Sequence, residues 1–227
     1  MNIALILSGG VGTRLEADIP KQYIEVNGKR VIDYCLEIFE ECDCIDAIQI
    51  VAAEEWRTVI SENSYSKLKG FSQPGENRQL SILNGLEDIR GYAEDEDVVV
   101  IHDAARPLVS QGLIESLVKA SEAHDGALPV LPMKDTVYFS ENGQQISSLL
   151  DRSCIYAGQA PESFVFGKYY QANKRLEWAE ILKINGSTEP AILAGMDVAM
   201  IPGDERNFKI TTKEDLKRFS EIIASNE

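Results

Sequence analysis

The chain is poor in positive charge: 22 Lys and Arg stand against 37 Asp and Glu in 227 residues, a formal net charge of −15. Tight binding to a phosphate backbone needs clustered cations that release counterions, so nucleic acid is not an expected partner. Long hydrophobic runs are missing too. No stretch approaches the roughly 18 apolar residues of a membrane helix, and "MNIALILSGG" has no basic segment before its apolar run and enters a loop at once. A cytoplasmic protein without a membrane partner is expected. Cysteine is sparse: of the four, Cys42 and Cys44 stand close in sequence, but no second Cys or His pair at zinc spacing accompanies them. They are expected to be structural thiols. Histidine is scarcer still, with His102 and His124 alone.

What remains is a chain that is 44% hydrophobic, enough to bury one full core, so a single domain over residues 1–227 is expected. Short apolar runs recur as "NIALIL", "AIQIVA", "DVVVIH", "GALPVL" and "DVAMIP". Several are apolar throughout, the mark of strands covered on both faces. Between them lie segments with helical spacing, beginning at Val31, Glu54, Arg78 and Gln111. This alternation predicts an α/β fold with a doubly wound, mostly parallel sheet and a ligand site beyond the carboxyl ends of the strands. One region breaks the rhythm. Residues 135–152, "DTVYFSENGQQISSLLDR", place two short strand-like runs around Asn142-Gly143, which predicts a projecting β-hairpin arm. Such an arm cannot bury its own apolar face, so Val137, Tyr138, Ile146 and Leu149 are expected to pack on another subunit. Near the end, Thr211-x-x-Glu214 has the capping-box pattern that opens a helix.

The loop after the first strand, "LSGGVGTRLEADIPKQY", contains Gly9, Gly10 and Gly12. Glycines let a backbone approach a ligand closely and aim N–H groups at anionic oxygens. The loop is neither a P-loop, since no Lys follows the glycines directly, nor a complete dinucleotide fingerprint, since the third glycine is missing. Arg14 follows closely, and Lys21 stands directly after Pro20, which stiffens the approach. Two cations flanking a donor-rich loop suit a triphosphate attacked at its α-phosphorus, where charge grows on the oxygens and the departing pyrophosphate.

This loop resembles the signature of nucleotidyltransferases that activate sugar and polyol phosphates, and "PKQY" narrows the resemblance to the cytidylyltransferases acting on methylerythritol phosphate or ribitol phosphate. Three further blocks follow in family order: "PGENRQLSILNGL", "VIHDAARPLV" and "GDERNFKITTKEDL". The resemblance spans nearly the whole chain and implies a Rossmann-like nucleotidyltransferase that joins CMP from CTP to a polyol phosphate, with Mg²⁺ or another divalent ion on the triphosphate. It assigns nucleotide binding to Ser8, Gly9, Gly75, Glu76 and Ser81, with Ala104 leaving room for the nucleotide. Ser81 has a second reading as a helix cap, and Arg78 has one as a packing residue. Asp103 and Arg106 would contact ribose or the incoming phosphate. Lys209 would join Arg14 and Lys21 around the reacting phosphorus. Thr136 and Arg152 of a neighbouring subunit's arm would complete the acceptor site, making the catalytic unit a homodimer. No metal ligands are assigned. His102 is read as structural and His124 as a surface residue, because a phosphate nucleophile needs no strong base.

The acceptor half departs from the family pattern. "QAPES" stands where Q-T-P-Q is usual, so Ala160 replaces a hydroxyl expected near the acceptor phosphate. In "NGSTEPAILAG", an ungapped match sets Asn185 and Gly186 where a helix-opening Thr-Asp pair is usual, and Thr188-Glu189 fits only with a deletion. "DTVYF" lacks the basic residues that often follow D-T in methylerythritol phosphate enzymes. Methylerythritol phosphate and ribitol phosphate therefore both stand as acceptors. A nucleotide sensor without catalysis and a purine-using sugar-1-phosphate transferase are the other readings. The first gives no reason to keep Arg14, Lys21 and Lys209 together, and "PKQY" and "HDAARP" argue against the second.

Overall fold

The computed structural model describes residues 1–10 and 19–225. β1 (Asn2–Leu7) leads into the glycine loop, and beyond it a short hairpin joins β2 (Glu25–Val26) to β3 (Lys29–Arg30). Asn27 and Gly28 turn this hairpin with φ of 50° and 73°, the left-handed pair that a two-residue hairpin loop needs. There follow α1 (Val31–Glu41), β4 (Ala47–Val51), α2 (Glu54–Ser61), β5 (Leu68–Ser72), α3 (Arg78–Ile89), β6 (Val98–Asp103), α4 (Gln111–Ala120) and β7 (Gly126–Pro132). The arm supplies β8 (Val137–Phe139) and β9 (Ser148–Leu150). The chain ends with β10 (Tyr156–Gly158), β11 (Glu162–Val165), α5 (Phe166–Lys174), α6 (Trp178–Ile181), α7 (Glu189–Leu193), β12 (Val198–Pro202) and α8 (Lys213–Ser225).

Among the described residues the main sheet has eight strands. β1 lies between β4 and β6, parallel to both, and β5 flanks β4. β7 and β12 form a parallel pair beyond. Between β6 and β7 runs one antiparallel lane made of two pieces: β10 pairs with residues 130–132 of β7, and β11 with residues 126–127. β11 also pairs antiparallel to β6. Gln159, Ala160 and Pro161 interrupt this lane, with a cis peptide between Ala160 and Pro161.

Period-2 alternation decides the layering. Ala4 and Ile6 of β1 join Ile48 and Ile50 against Ile32, Leu36 and Phe39 of α1. Ile3 and Leu5 face the other way with Val99 and Ile101, against Ile82 and Leu86 of α3 and Phe166 and Tyr169 beyond. Both faces of β1 are thus covered, which is why "NIALIL" reads apolar throughout. Gly85 lets α3 press onto the sheet, since a Cβ there would stand 2.4 Å from Leu5 Cδ1. β1 and β6 are spatial neighbours from which the chain departs in opposite directions, and the loops after both share one crevice, the usual ligand position in such sheets.

The arm forms where the Asn142-Gly143 signal predicts it, with Val137 opposite Leu150 and Phe139 opposite Ser148. Tyr138, Phe139, Ile146 and Leu149 are exposed. The capping box lies one residue later than the sequence pattern suggests. Thr212 and Asp215 exchange side-chain to backbone hydrogen bonds of 2.8 and 3.2 Å, and Asp215 also receives Thr211 N and Oγ1. Asp215 wins because its shorter carboxylate reaches three donors at once.

Candidate active site

A cavity of about 450 Å³ opens at the carboxyl ends of β1 and β6, lined by residues of the glycine loop, the Lys21 turn, the start of α3, Asp103, and Lys209 and Thr211. The glycine loop is shaped from below by "PKQY". Gln22 is buried, and its Nε2 donates to the carbonyls of Ser8 (2.7 Å) and Gly10 (2.8 Å). Ser8 Oγ donates to the Tyr23 hydroxyl at 2.6 Å. The Tyr23 ring is stacked on Trp56 with centroids 4.0 Å apart, and burial pushes its phenol up to about 12. Ser8 is buried, so its side chain supports the loop from beneath. Gly9 meets Pro74 so closely that a Cβ would lie 2.6 Å from the proline Cβ.

The "PGENR" loop forms the opposite wall. A Cβ on Gly75 would stand 2.3 Å from Leu80 Cβ and 2.7 Å from the Leu80 carbonyl carbon. Glycine is therefore required for this loop to fold onto the start of α3. Asn77 caps the helix through its side chain, 2.8 Å from Leu80 N. Ser81 is not the cap: its hydroxyl accepts from Gly75 N at 2.9 Å and donates to Asn77 O at 2.9 Å, fixing the loop from inside the first turn.

Asp103 is the electrostatic centre. Its Oδ1 accepts from Arg78 Nε at 3.0 Å, its Oδ2 accepts from Lys209 Nζ at 2.9 Å, and Arg106 Nε stands 3.9 Å away. Burial alone would raise this carboxyl, but Arg78, Lys209 and Arg106 outweigh it and hold Asp103 far below the usual carboxylate range. Lys21 reaches the same region from across the cavity and donates to the Ile210 carbonyl at 2.5 Å. Ile210 N in turn donates to Ala105 O, which ties the Lys209 segment to the end of β6.

Gly9, Gly10, Lys21, Gly75, Glu76, Ser81, Asp103 and Lys209 thus line one cavity. Gly12 and Arg14 lie outside the described residues. Ala104 is fully buried, and the neighbouring Ala105 lines the cavity instead. Arg106 is largely buried and donates to Asn207 O at 2.7 Å, so in this subunit it braces the Lys209 loop. Thr136 and Arg152 stay at the exposed base of the arm, where Arg152 donates to the Lys134 carbonyl. His102 is fully buried, with Nε2 3.0 Å from Arg106 O, and burial drives it down to about 4. His124 lies at the surface beside Asp197.

The segments that depart from the family pattern are legible only in three dimensions. Ala160 is buried, and Asn207 Nδ2 donates to its carbonyl at 2.8 Å. Thr188-Glu189, not Asn185-Gly186, opens a helix before β12. Behind the cavity, Arg78 Nη1 donates to Ser187 Oγ at 2.7 Å, and Ser187 Oγ lies 2.6 Å from both carboxylate oxygens of the buried Glu162. Gln22, Asn77 and Glu162 were not singled out by sequence. The first sits inside "PKQY", where the lysine draws attention, and the last becomes notable only through its burial.

The family model for IspD, 2-C-methyl-D-erythritol 4-phosphate cytidylyltransferase, matches residues 2–225. The chain belongs to the IspD cytidylyltransferase family. Its relatives divide between two named acceptors. It is 37% identical to 2-C-methyl-D-erythritol 4-phosphate cytidylyltransferase of Rubrobacter xylanophilus, over 99% of this chain and 96% of that one. It is 32% identical to ribitol-5-phosphate cytidylyltransferase of Streptococcus agalactiae serotype III, over 100% of this chain and 97% of that one. The crystal structure of a 4-diphosphocytidyl-2C-methyl-D-erythritol synthase superposes with a TM-score of 0.83 at 26% identity, covering 98% of this chain and 99% of that one. The family's fold and its CTP-dependent nucleotidyl transfer therefore apply to this enzyme. No helix among the described residues is long and apolar enough to cross a membrane.

Proposed function

We propose that the enzyme transfers CMP from CTP to 2-C-methyl-D-erythritol 4-phosphate, with ribitol 5-phosphate as the second reading. The family match over residues 2–225 carries the first. The Streptococcus relative, together with Ala160 in the acceptor half, favours the second. In either case a phosphate oxygen of the acceptor attacks the α-phosphorus in line, and the bond to pyrophosphate breaks. The nucleophile is already ionised, so no protein base is needed, in keeping with a His102 that is buried and neutral. The chain's task is to hold the two anions together and to neutralise charge as it develops. Lys21 and Lys209 line the cavity and suit this role, with Arg14 as the third cation read from sequence. Gly9, Gly10, Gly12, Gly75, Glu76 and Ser81 would bind nucleotide, beside Ser8 and Ala104, and Asp103, Arg106, Thr136 and Arg152 the acceptor.

The donor set fits a divalent ion carried in on the triphosphate. Asp103 and Glu76 are the carboxylates at the described cavity wall, and both Asp103 oxygens already accept from cations. A hard ion such as Mg²⁺ suits one carboxylate plus phosphate oxygens and water, and bound there it would offset charge on the triphosphate. The exposed Tyr138, Phe139, Ile146 and Leu149 support docking of the arm on a second copy, bringing Thr136 and Arg152 to that copy's cavity. The reading sets the enzyme in the cytoplasm, where CTP is made.

Pyrophosphate release from CTP and Mg²⁺ with each polyol phosphate tests this reading. Release with methylerythritol phosphate supports it, release with ribitol phosphate alone moves the assignment to the second, and silence with both rejects it. Lys209→Ala is expected to lower kcat by about 10²–10³, the usual loss of an electrostatic stabiliser.

A further inference from the structure

Arg78 occupies an unusual position between the two halves of the site. Its Nε is committed to Asp103 at 3.0 Å and its Nη1 to Ser187 at 2.7 Å, while Nη2 has no hydrogen-bond partner among the described residues. Arg78 lines the cavity, and its side chain is 32% exposed there. A guanidinium has a rigid fork of donors, so fixing two nitrogens fixes the third. Ser187 is the hinge of this arrangement. Its single hydroxyl accepts from Arg78 and donates to Glu162, so arginine, serine and carboxylate run in one donor-to-acceptor order. Thr188 Oγ1 adds a second donor to Glu162 at 3.0 Å. Glu162 is only 7% exposed and stands on β11, clamped between two neighbouring strands, so it cannot follow a moving arginine.

We propose that Glu162, acting through Ser187, is a positioning residue that holds Arg78 with its remaining nitrogen free to take a phosphate oxygen in the cavity. The chemistry recognised is a phosphate oxygen, supplied either by the acceptor or by the triphosphate. Glu162 is the right type for the task because it accepts without donating, which forces the Ser187 proton toward it and leaves the serine lone pair for Arg78. Burial keeps the Glu162 carboxyl above its usual range, and Arg78 and the two hydroxyls oppose that rise without cancelling it. The proposal rests on the phosphate-transfer reading above for the identity of the ligand, and on geometry alone for the relay.

The test uses the full chain with Ser187→Ala, Ser187→Thr and Glu162→Leu. Steady-state pyrophosphate release gives KM and kcat for the acceptor, calorimetry gives the Kd of CTP with Mg²⁺, and thermal melts report folding. Ser187→Ala and Glu162→Leu are expected to raise the acceptor KM, or weaken CTP binding, by about tenfold (1.4 kcal/mol), with kcat changed much less. Ser187→Thr, which keeps the hydroxyl, is expected to recover most of that loss. A change confined to the acceptor KM identifies the acceptor phosphate as the ligand, and one confined to CTP identifies the triphosphate. If wild type turns over no acceptor but the CTP arm still responds to these variants, the acceptor reading fails and the relay stands. Variants that melt earlier yet keep both constants within twofold would overturn the proposal, as would a Ser187→Thr variant no better than Ser187→Ala.

Discussion

Replacing Asp103 by Asn tests the claim that one carboxylate organises the site. The substitution keeps the side chain's shape but removes the charge that Arg78 and Lys209 contact at 3.0 and 2.9 Å, in a side chain only 10% exposed. Arg106 at 3.9 Å then adds to a group of cations left without their shared counterion. Breaking a buried ion pair from one side costs about 3–5 kcal/mol, because the remaining charge is neither paired nor solvated. A chain of this size melts about 2–4 °C lower per kcal/mol, so a fall of roughly 10 °C is expected. The pH dependence follows from the direction of the shift. Asp103 has its folded value depressed, so its stabilisation is complete above the unfolded value of about 3.9 and is lost only as pH falls through the lower folded value. The gap between wild type and Asp103→Asn should therefore be the same at pH 5 and pH 8. Urea titrations at both pH values measure it. A variant within about 1 kcal/mol of wild type, or a gap that closes at pH 5, would refute the assignment of Asp103 as the ionised centre of this cluster.

Other consequences are equally direct. Gly75→Ala forces a Cβ to within 2.3 Å of Leu80 Cβ, and should cost about 1–3 kcal/mol by overpacking while raising KM for CTP; paired melts and kinetics check both. Gln22→Leu removes the buried amide that donates to Ser8 O and Gly10 O, leaving Ser8 O with the Tyr23 hydroxyl at 3.1 Å and Gly10 O without this support, so about 1 kcal/mol of stability and part of the CTP affinity should go together, read by denaturation and calorimetry. His102 lies at about 4 when folded, below its free value of about 6.5, so stability should drop by about 3 kcal/mol as pH falls from 6.5 toward 4; in His102→Gln, denaturation across that range should lose this slope. Mixing Lys209→Ala with Arg152→Ala subunits should restore roughly a quarter of wild-type activity if each site takes its cavity from one subunit and its arm from the other, since half the dimers are then mixed and each has one intact site. No recovery after subunit exchange would remove Arg152 from the partner's site.

How far the sequence was legible depended on the range of the interactions involved. The parallel core was readable because both faces of β1, β4 and β6 are covered, so their apolar runs are continuous and the intervening helices keep a 3.6-residue period. β5, "LKGFS", escaped because it is an edge strand with a Lys and a Gly and only Ser72 buried. The antiparallel lane of β10 and β11 escaped because each piece has three or four residues, too few for alternation to show. At the site, glycines and cations were visible as residue types, whereas their supports were not. Gln22 matters through hydrogen bonds to backbone that no local pattern announces, and Ser81, visible as a residue, turns out to brace Gly75 N rather than cap the helix.

The same distinction explains why the loops read as nucleotide-binding are more legible than the segments that depart from the family pattern. The loops read as nucleotide-binding are each contiguous in sequence, following a strand or opening a helix, and each carries its motif in the sequence. The segments that depart from the family pattern meet through Ala160, Glu162, Ser187 and Thr188, single residues that come together only when β11 pairs with β6 and α7 begins. A substitution such as threonine to alanine at position 160 then changes no pattern longer than itself, yet it removes a hydroxyl from a buried position. Two residues on stands a buried carboxylate, held by two hydroxyls and coupled through Ser187 to Arg78. Because Glu162 meets the cavity through Ser187 and Arg78, a change at Glu162 or Ser187 would reach the cavity by releasing one guanidinium, without altering any contiguous loop motif.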